Sequence, residues 1–365
     1  MDKKLLNRIA QVGYEEVEKR SASFVQSDDG VVESTVQKEQ QLVLMSTGAA
    51  AKKYPELVKK YWWQAVKPDT DEFTQATAKV TEEHGYFVHV KKGQKINFPV
   101  QACIFLSKAG SSQKVHNVVI VEDGAELNMI SGCASEGEIK DAEHLGISEM
   151  YVGKNAKLSF TMIHAWAKGV KVRPRTTVVV DEGGTYISNY INMEGAEDIQ
   201  MNPLTRLVGE GAVCRLNSVL VVPKGCNMDV GGKVFLEVPD TKAEIVARTI
   251  CLGGQAINRG TLVGKAKGVK AHLECHGLML SEDGYISAIP QLDAMTNDAQ
   301  MSHEAAVGRI APEEIEYLMA RGLNEEEATA TIVRGFLNVN IEGLPEQLAE
   351  KIKQTIDKFS YEKPL

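Results

Sequence analysis

Two short stretches of this 365-residue chain hold the side chains best suited to chemistry. The first is His272-Leu273-Glu274-Cys275-His276. The second, Ser302-His303-Glu304, begins 27 residues after Cys275. Together they offer one thiol, several imidazoles and carboxylates, a ligand set that suits iron or zinc. Strand periodicity divides the set. On a strand, His272, Glu274 and His276 share one face, Cys275 lies on the other with Leu273, and His303 and Glu304 point oppositely unless the strand ends between them. The five residues of the first stretch therefore cannot all close on one metal. From spacing alone, a buried inert thiol with solvent-facing polar neighbours is the simpler reading.

Other chemistries are excluded by what is missing. The six cysteines lie at 103, 133, 214, 226, 251 and 275, and no two are closer than twelve residues. This spacing argues against a zinc finger, a thioredoxin-type pair and a self-contained ferredoxin-type cluster. Gly260-Thr261-Leu262-Val263-Gly264-Lys265-Ala266 contains a Gly-Lys, but it lacks the Ser or Thr of a phosphate-binding loop, and its first glycine is misplaced. Gly209-Glu210-Gly211 lacks the third glycine of a dinucleotide fingerprint. There is no GxSxG and no HExxH. The expectation is a non-enzymatic protein without a nucleotide site of its own. With 41 basic against 49 acidic side chains, a net charge of −8, the chain lacks the basic excess that nucleic-acid binding requires. The charged N-terminus, Met1-Asp2-Lys3-Lys4-Leu5-Leu6-Asn7-Arg8, does not read as a secretion signal. No apolar run approaches the ~20 residues that span a bilayer. Six unclustered thiols then point to a cytoplasmic protein with reduced cysteines and no membrane partner.

The elements that must position these residues fall into three zones. Residues 1–84 read as a helical region. Leu5, Ile9 and Val17 recur near helical spacing, and a second helical stretch over 37–65 is broken near Gly48 and Pro55. Trp62 and Trp63 end it and read as core residues. Residues 85–300 read as all β, with β-branched runs at 115–121, 147–152, 158–163, 176–180, 186–193, 213–222, 234–238, 245–250 and 269–275. Their turns form a quasi-repeat: a strand, a polar corner, a small residue, a strand. The small residue falls at Ala125, Ala156, Gly184 and Ala212, in steps of 31, 28 and 28. That pattern favours a solenoid over a series of glycine-turn hairpins. Residues 301–365 return to helix. Pro312 opens one helix that stops at Gly322, Asn324 caps a second with Ile332, Val333, Phe336 and Leu337 on its apolar side, and a third runs from near Pro345 to about Phe359.

Several motifs resemble one known family, the SufB/SufD iron–sulfur assembly scaffolds. Gly85-Tyr86-Phe87-Val88-His89-Val90-Lys91-Lys92-Gly93 introduces the β region as it does there. His144-Leu145-Gly146-Ile147-Ser148-Glu149 looks like that family's turn in mid-domain. Most specific are Ile289-Pro290-Gln291-Leu292, Ser302-His303-Glu304-Ala305-Ala306-Val307-Gly308-Arg309-Ile310, and Tyr317-Leu318-Met319-Ala320-Arg321-Gly322-Leu323-Asn324 with Ile332-Val333-Arg334-Gly335-Phe336. The likeness is good over about residues 85–338 and loose before them. It implies a mainly β fold, a right-handed parallel β-helix with helical ends. It implies a scaffold for a nascent iron–sulfur cluster. The C-terminal helices would bind a SufC-type ABC ATPase, which accounts for the missing phosphate-binding loop. Apo iron–sulfur proteins would be the recipients.

Residue by residue, Cys275 matches the SufB cysteine that takes part in cluster assembly, and His303 and Glu304 match the family's His-Glu pair. Cys275 is SufB-like, whereas Pro290-Gln291-Leu292 and Ser302-His303 are SufD-like. A chain with both sets could act as both partners, as a homodimer. Cys275, His303 and Glu304 from each of two chains would then form a mixed, exchangeable site. One departure stands out: Thr176 occupies the position of SufB's core sulfur-accepting cysteine. Cys214, Cys226 and Cys251 are substitutes by position, although buried structural roles suit each, and free sulfide is another source. Two rival readings remain. One is a metal-free structural regulator of an ATPase; the other is a carbohydrate-active β-helix using Glu194, Glu197 and Asp198.

Overall fold

The structure is a computed structural model and describes residues 1–337 except 2, 16–18, 39, 81–83 and 138. The third expected C-terminal helix, near Pro345 to Phe359, and Val17 lie outside the described residues. The chain winds into a β-solenoid of about 8 turns. One sheet stacks ten strands, from Gly30–Val36 and Ala22–Ser27 through Val100–Leu106, Glu126–Ser135, Lys157–Ala165, Thr185–Asn192, Val213–Pro223, Lys242–Leu252 and Lys270–Met279 to Gln300–Gly308. The facing sheet runs from Leu42–Ser46 to Tyr285–Ala294. Among the described residues the strand pairings along the body are parallel, apart from an isolated antiparallel bridge between Pro223 and Gly253; antiparallel strand pairs occur where Gly30–Val36 meets Ala22–Ser27 and where Leu42–Ser46 meets Tyr86–Val90.

The quasi-repeat is the coil. Lys157 lies opposite Glu126, Thr185 opposite Lys157 and Val213 opposite Thr185, which reproduces the steps of 31, 28 and 28. The corner before each small residue requires a left-handed backbone. Gly124, Gly183, Gly211 and Gly268 supply it with φ of 67°, 62°, 70° and 70°, and Asn155 and Asp240 with 52° and 58°. Only glycine, or a short polar residue that bonds locally, adopts this region cheaply. The corners are stitched coil to coil, as where Gly124 N donates to Lys154 O at 2.8 Å and Asn155 N to Glu182 O at 2.8 Å. Ala125, Ala156 and Ala212 follow, fully buried within the main core.

Residues 22–46 depart from the expected helical start. Ala22–Ser27, Gly30–Val36 and Leu42–Ser46 are strands, and Ala22–Ser27 adds to Val100–Leu106 in parallel. An open sheet edge recruits a β-capable segment such as Ala-Ser-Phe-Val-Gln-Ser, and tertiary pairing overrides local propensity. At the other end the sheet continues past residue 300, since Gln300–Gly308 is a single strand.

Six helices among the described residues coat the outer faces: α1 (Lys3–Ala10), α2 (Thr47–Lys53), α3 (Pro55–Tyr61), α4 (Glu72–Ala78), α5 (Pro312–Met319) and α6 (Glu325–Phe336). Helix α1 buries Leu5 and Ile9 against Ile130, Ala134 and Ile163. Gly132 makes that approach possible, because a Cβ there would sit 2.4 Å from Val12 O. Helix α6 begins with a capping box between Asn324 and Glu327, at 2.8 and 2.9 Å, and lays Val333 on Val219, Val221, Ile250 and Leu278. Trp62 packs at the edge of the hydrophobic cluster around Phe87, Val118 and Ile120, as expected of a core residue, whereas Trp63 does not join it. Both are half-buried, and they close over His116, with ring centroids 3.7 and 4.3 Å away.

Candidate functional site

The strands Lys270–Met279 and Gln300–Gly308 are the last two of their sheet, so the candidate residues sit at the C-terminal end of the solenoid. Burial alternates along Lys270–Met279 as a half-buried strand dictates. Ala271, Leu273 and Cys275 face the coil interior, and Cys275 is 1% exposed; His272, Glu274 and His276 face outward. In the parallel ladder Leu273 pairs with His303, Glu274 with Glu304 and Cys275 with Ala305. Cys275 and His303 therefore share the inner face of adjacent strands. Glu304 lies on the outer face beside Glu274. One chain brings two of the three predicted ligands to one side and sends the third to the other. Among the described residues, no group of three or more His, Cys, Asp or Glu side chains forms a preformed metal cage.

What surrounds the inner pair is apolar and incomplete. Ile286, Ala288, Leu292 and Met301 pack against the core but are only partly buried, with no further coil among the described residues to cover them. Tyr285, Ile289 and Val307 are exposed on the last two strands. Burial, helped by the Glu274 carboxylate, pushes the Cys275 thiol up to about 11. At neutral pH it is a thiol and must lose a proton to bind metal.

Behind Cys275 runs a cavity of about 80 Å³ between the two sheets. Along one inward row, Met162, Tyr190, Ser218, Ala247 and Cys275 succeed one another strand by strand. The first four line the cavity, so it stops one strand short of Cys275. Thr176 and Cys133 also line it. Its histidines are neutral: burial lowers His144 to about 4 and His164 to about 3. Cys214, Cys226 and Cys251 are buried, and Cys251 Sγ contacts Gly254 O at 3.2 Å. Burial pushes the Cys133 and Cys214 thiols up to about 12.

The sequence reading named His276, Glu274 and Glu304 but not Arg248, and it missed the pairing of His116 with Glu149. On the outer face, His276 lies among Arg248, Glu274 and Glu304. Near the other end, a fully buried Glu149 accepts from His116 Nε2 at 2.8 Å and from the backbone N–H groups of Trp63, Ala65 and Val66 at 2.5, 2.6 and 3.1 Å. Desolvation alone would raise this carboxyl. The His116 bond and charge, with the Val66 and Ala65 N–H groups, outweigh it and hold Glu149 below its usual range. The available signal was the coil period, because residues 33 apart, such as His116 and Glu149, stand on neighbouring strands.

Comparison with known proteins agrees with this geometry. Residues 104–336 match the family model described as "SUF system FeS cluster assembly, SufBD core domain", and residues 18–102 match the "SufBD protein N-terminal region". An iron–sulfur cluster assembly SufBD family protein of Archaeoglobus fulgidus is 46% identical over 351 residues, 96% of this chain and 94% of that one. One from Methanothermobacter thermautotrophicus is 42% identical over 97% of this chain and 87% of its own length. One from Pyrococcus horikoshii is 30% identical over 97% and 80%. No described helix is long and apolar enough to cross a membrane. With core and N-terminal regions both matched and the solenoid in place, the chain belongs to the SufBD family of iron–sulfur cluster assembly proteins.

Proposed function

We propose that the chain is a scaffold on which a nascent iron–sulfur cluster is built at the interface of two copies and then handed to apo recipient proteins. One observation carries this reading: Cys275 and His303 share the inner face of the last two strands of their sheet, at an end of the solenoid whose strand edges no other described strand pairs. Long unpaired edges with exposed apolar side chains are normally blunted or covered, and a second copy of the same edge covers them symmetrically. Across a two-fold axis the opposed directions of His303 and Glu304 cease to be an obstacle, since Cys275, His303 and Glu304 need meet only at the interface. One thiolate with imidazole and carboxylate ligands makes a harder site than four thiolates. That suits a cluster that is cargo and not a resident group.

The scaffold works with a SufC-type ABC ATPase that docks on the C-terminal helices and supplies ATP hydrolysis. Helix α5 supports this: it buries none of its residues and exposes Tyr317 and Met319. ATP binding to that partner would shift the helices and assemble the site. Six buried free thiols suit the reducing cytoplasm. With Thr176 lining the cavity, sulfur reaches the site as free sulfide or through another thiol.

The carbohydrate reading loses its grouped carboxylates. Glu194 pairs with Arg8 at 3.8 Å, Glu197 with Lys171 at 3.3 Å and Asp198 with Arg173 at 2.6 Å. The test of the scaffold reading is sedimentation of the purified chain with its ATPase, together with iron and sulfide analysis of the anaerobically purified complex. A complex built on two copies and carrying both elements is expected. A stable one-to-one monomer, or a complex devoid of iron and sulfide, contradicts the proposal; the second result is what a metal-free regulator would give.

A further inference from the structure

The outer face of the last strands carries a group that a thiol-centred site leaves unused. His276 stands opposite Arg248 in the ladder, and Glu274 stands opposite Glu304. The imidazole is held from one side. Arg248 contacts both its Nδ1 and the Glu274 carboxylate, and Glu274 Oε1 lies 3.5 Å from the same Nδ1. The other nitrogen, Nε2, is buried and has no hydrogen-bond partner. It faces Glu304 Oε1 at 3.7 Å, too far for a hydrogen bond. The result is an oriented imidazole whose orphaned nitrogen faces an exposed carboxylate at more than hydrogen-bond distance.

We propose that His276 Nε2 and the Glu304 carboxylate hold a ferrous ion, forming an iron-loading site on the outer face that shares Glu304 with the proposed interface site but does not use the Cys275 thiol. This rests on the scaffold reading, with iron as cargo. The gap has the right size: a metal about 2.1 Å from each donor spans 3.7 Å at an angle of roughly 120°. Nitrogen and carboxylate donors suit divalent iron before any sulfide is present. Glu274 plays the part of the carboxylate that orients a ligating histidine. The proton balance closes within the group. With Nδ1 accepting from Arg248, the ring proton sits on Nε2. On loading it moves to Nδ1 and is donated to Glu274, while Arg248 keeps Glu274 alone. The remaining coordination positions stay open to water, as a metal destined for transfer requires.

The test is an anaerobic titration of the full chain with Co(II), the spectroscopic stand-in for Fe(II), followed by Fe(II) calorimetry. Visible ligand-field bands without a near-ultraviolet thiolate-to-cobalt band are expected. His276→Ala and the exposed-site variant Glu304→Gln should each weaken binding at least about tenfold, and Glu274→Gln about tenfold. Cys275→Ser should leave the cobalt spectrum unchanged. Wild-type affinity in both His276→Ala and Glu304→Gln, or a thiolate band that vanishes in Cys275→Ser, overturns the site. Cluster reconstitution is read separately on Cys275→Ala. Its failure to depend on Cys275 would strike the scaffold reading, while the cobalt result supports or overturns the loading site on its own.

Discussion

The two ends of the solenoid solve the same problem in opposite ways. At the N-terminal end the strands Gly30–Val36 and Leu42–Ser46 reverse direction, pair antiparallel and meet one another, with Ser34 Oγ donating to Leu44 O at 3.3 Å. Leu42 and Leu44 are buried there, and a strap over residues 62–66 is fastened by the Glu149 carboxylate. At the C-terminal end no further described strand continues either sheet. Among the described residues, Tyr285–Ala294 and Gln300–Gly308 have no partner on their outer edges, and Tyr285, Ile289 and Val307 are exposed. The first end is built for stability. The second forgoes closure, and it is the end that holds Cys275, His303, Glu304 and His276. Bare strand edges invite association, and their persistence beside the site residues is what an interface-built site requires.

The contrast can be broken at either end. The largest stability losses belong to the closed end. His116→Ala leaves the fully buried Glu149 carboxylate without its imidazole and should cost about 3–5 kcal/mol. Leu44→Ala should cost about 2–5 kcal/mol, and thermal unfolding measures both. Acid tests the same strap. Because Glu149 is held below its unfolded value near 4.5, its stabilisation is full above that pH and is lost as pH falls through the depressed folded value. Protection of the Trp63, Ala65 and Val66 amides from hydrogen exchange should therefore hold at pH 6 and fail only as the pH falls through the depressed folded value of Glu149. At the open end, Val307→Lys should change stability by no more than ~0.5 kcal/mol, yet shift sedimentation from dimer toward monomer. The smallest effect is kinetic. With its pKa near 11, Cys275 should alkylate about tenfold faster for each unit of pH rise between 7 and 9, and it should be shielded when two copies associate.

Much of this contrast was legible before the structure. The corner repeat at Ala125, Ala156, Gly184 and Ala212 read as a solenoid because a coil repeats its backbone conformation, and so its glycines. The face division at Cys275 followed from a period of two, and the structure keeps it. The closed end was not legible. Residues 22–46 lack a strong strand period and become strands because a sheet edge recruits them, an interaction no local window contains. Trp62 and Trp63 read as core, which Trp62 partly is, but their stacking on His116 was not legible because His116 and Glu149 are distant in the chain. His276, Glu274 and Glu304 stood out in the sequence, but their contact with Arg248 did not, because Arg248 reaches them only through a 28-residue step between coils.

The most direct test of the open end as an assembly site is anaerobic cluster reconstitution on Cys275→Ala beside Cys103→Ala, whose cysteine is buried on the outer face under α1. The iron–sulfur absorption band should vanish in Cys275→Ala and persist in Cys103→Ala. A normal band in Cys275→Ala would contradict the account.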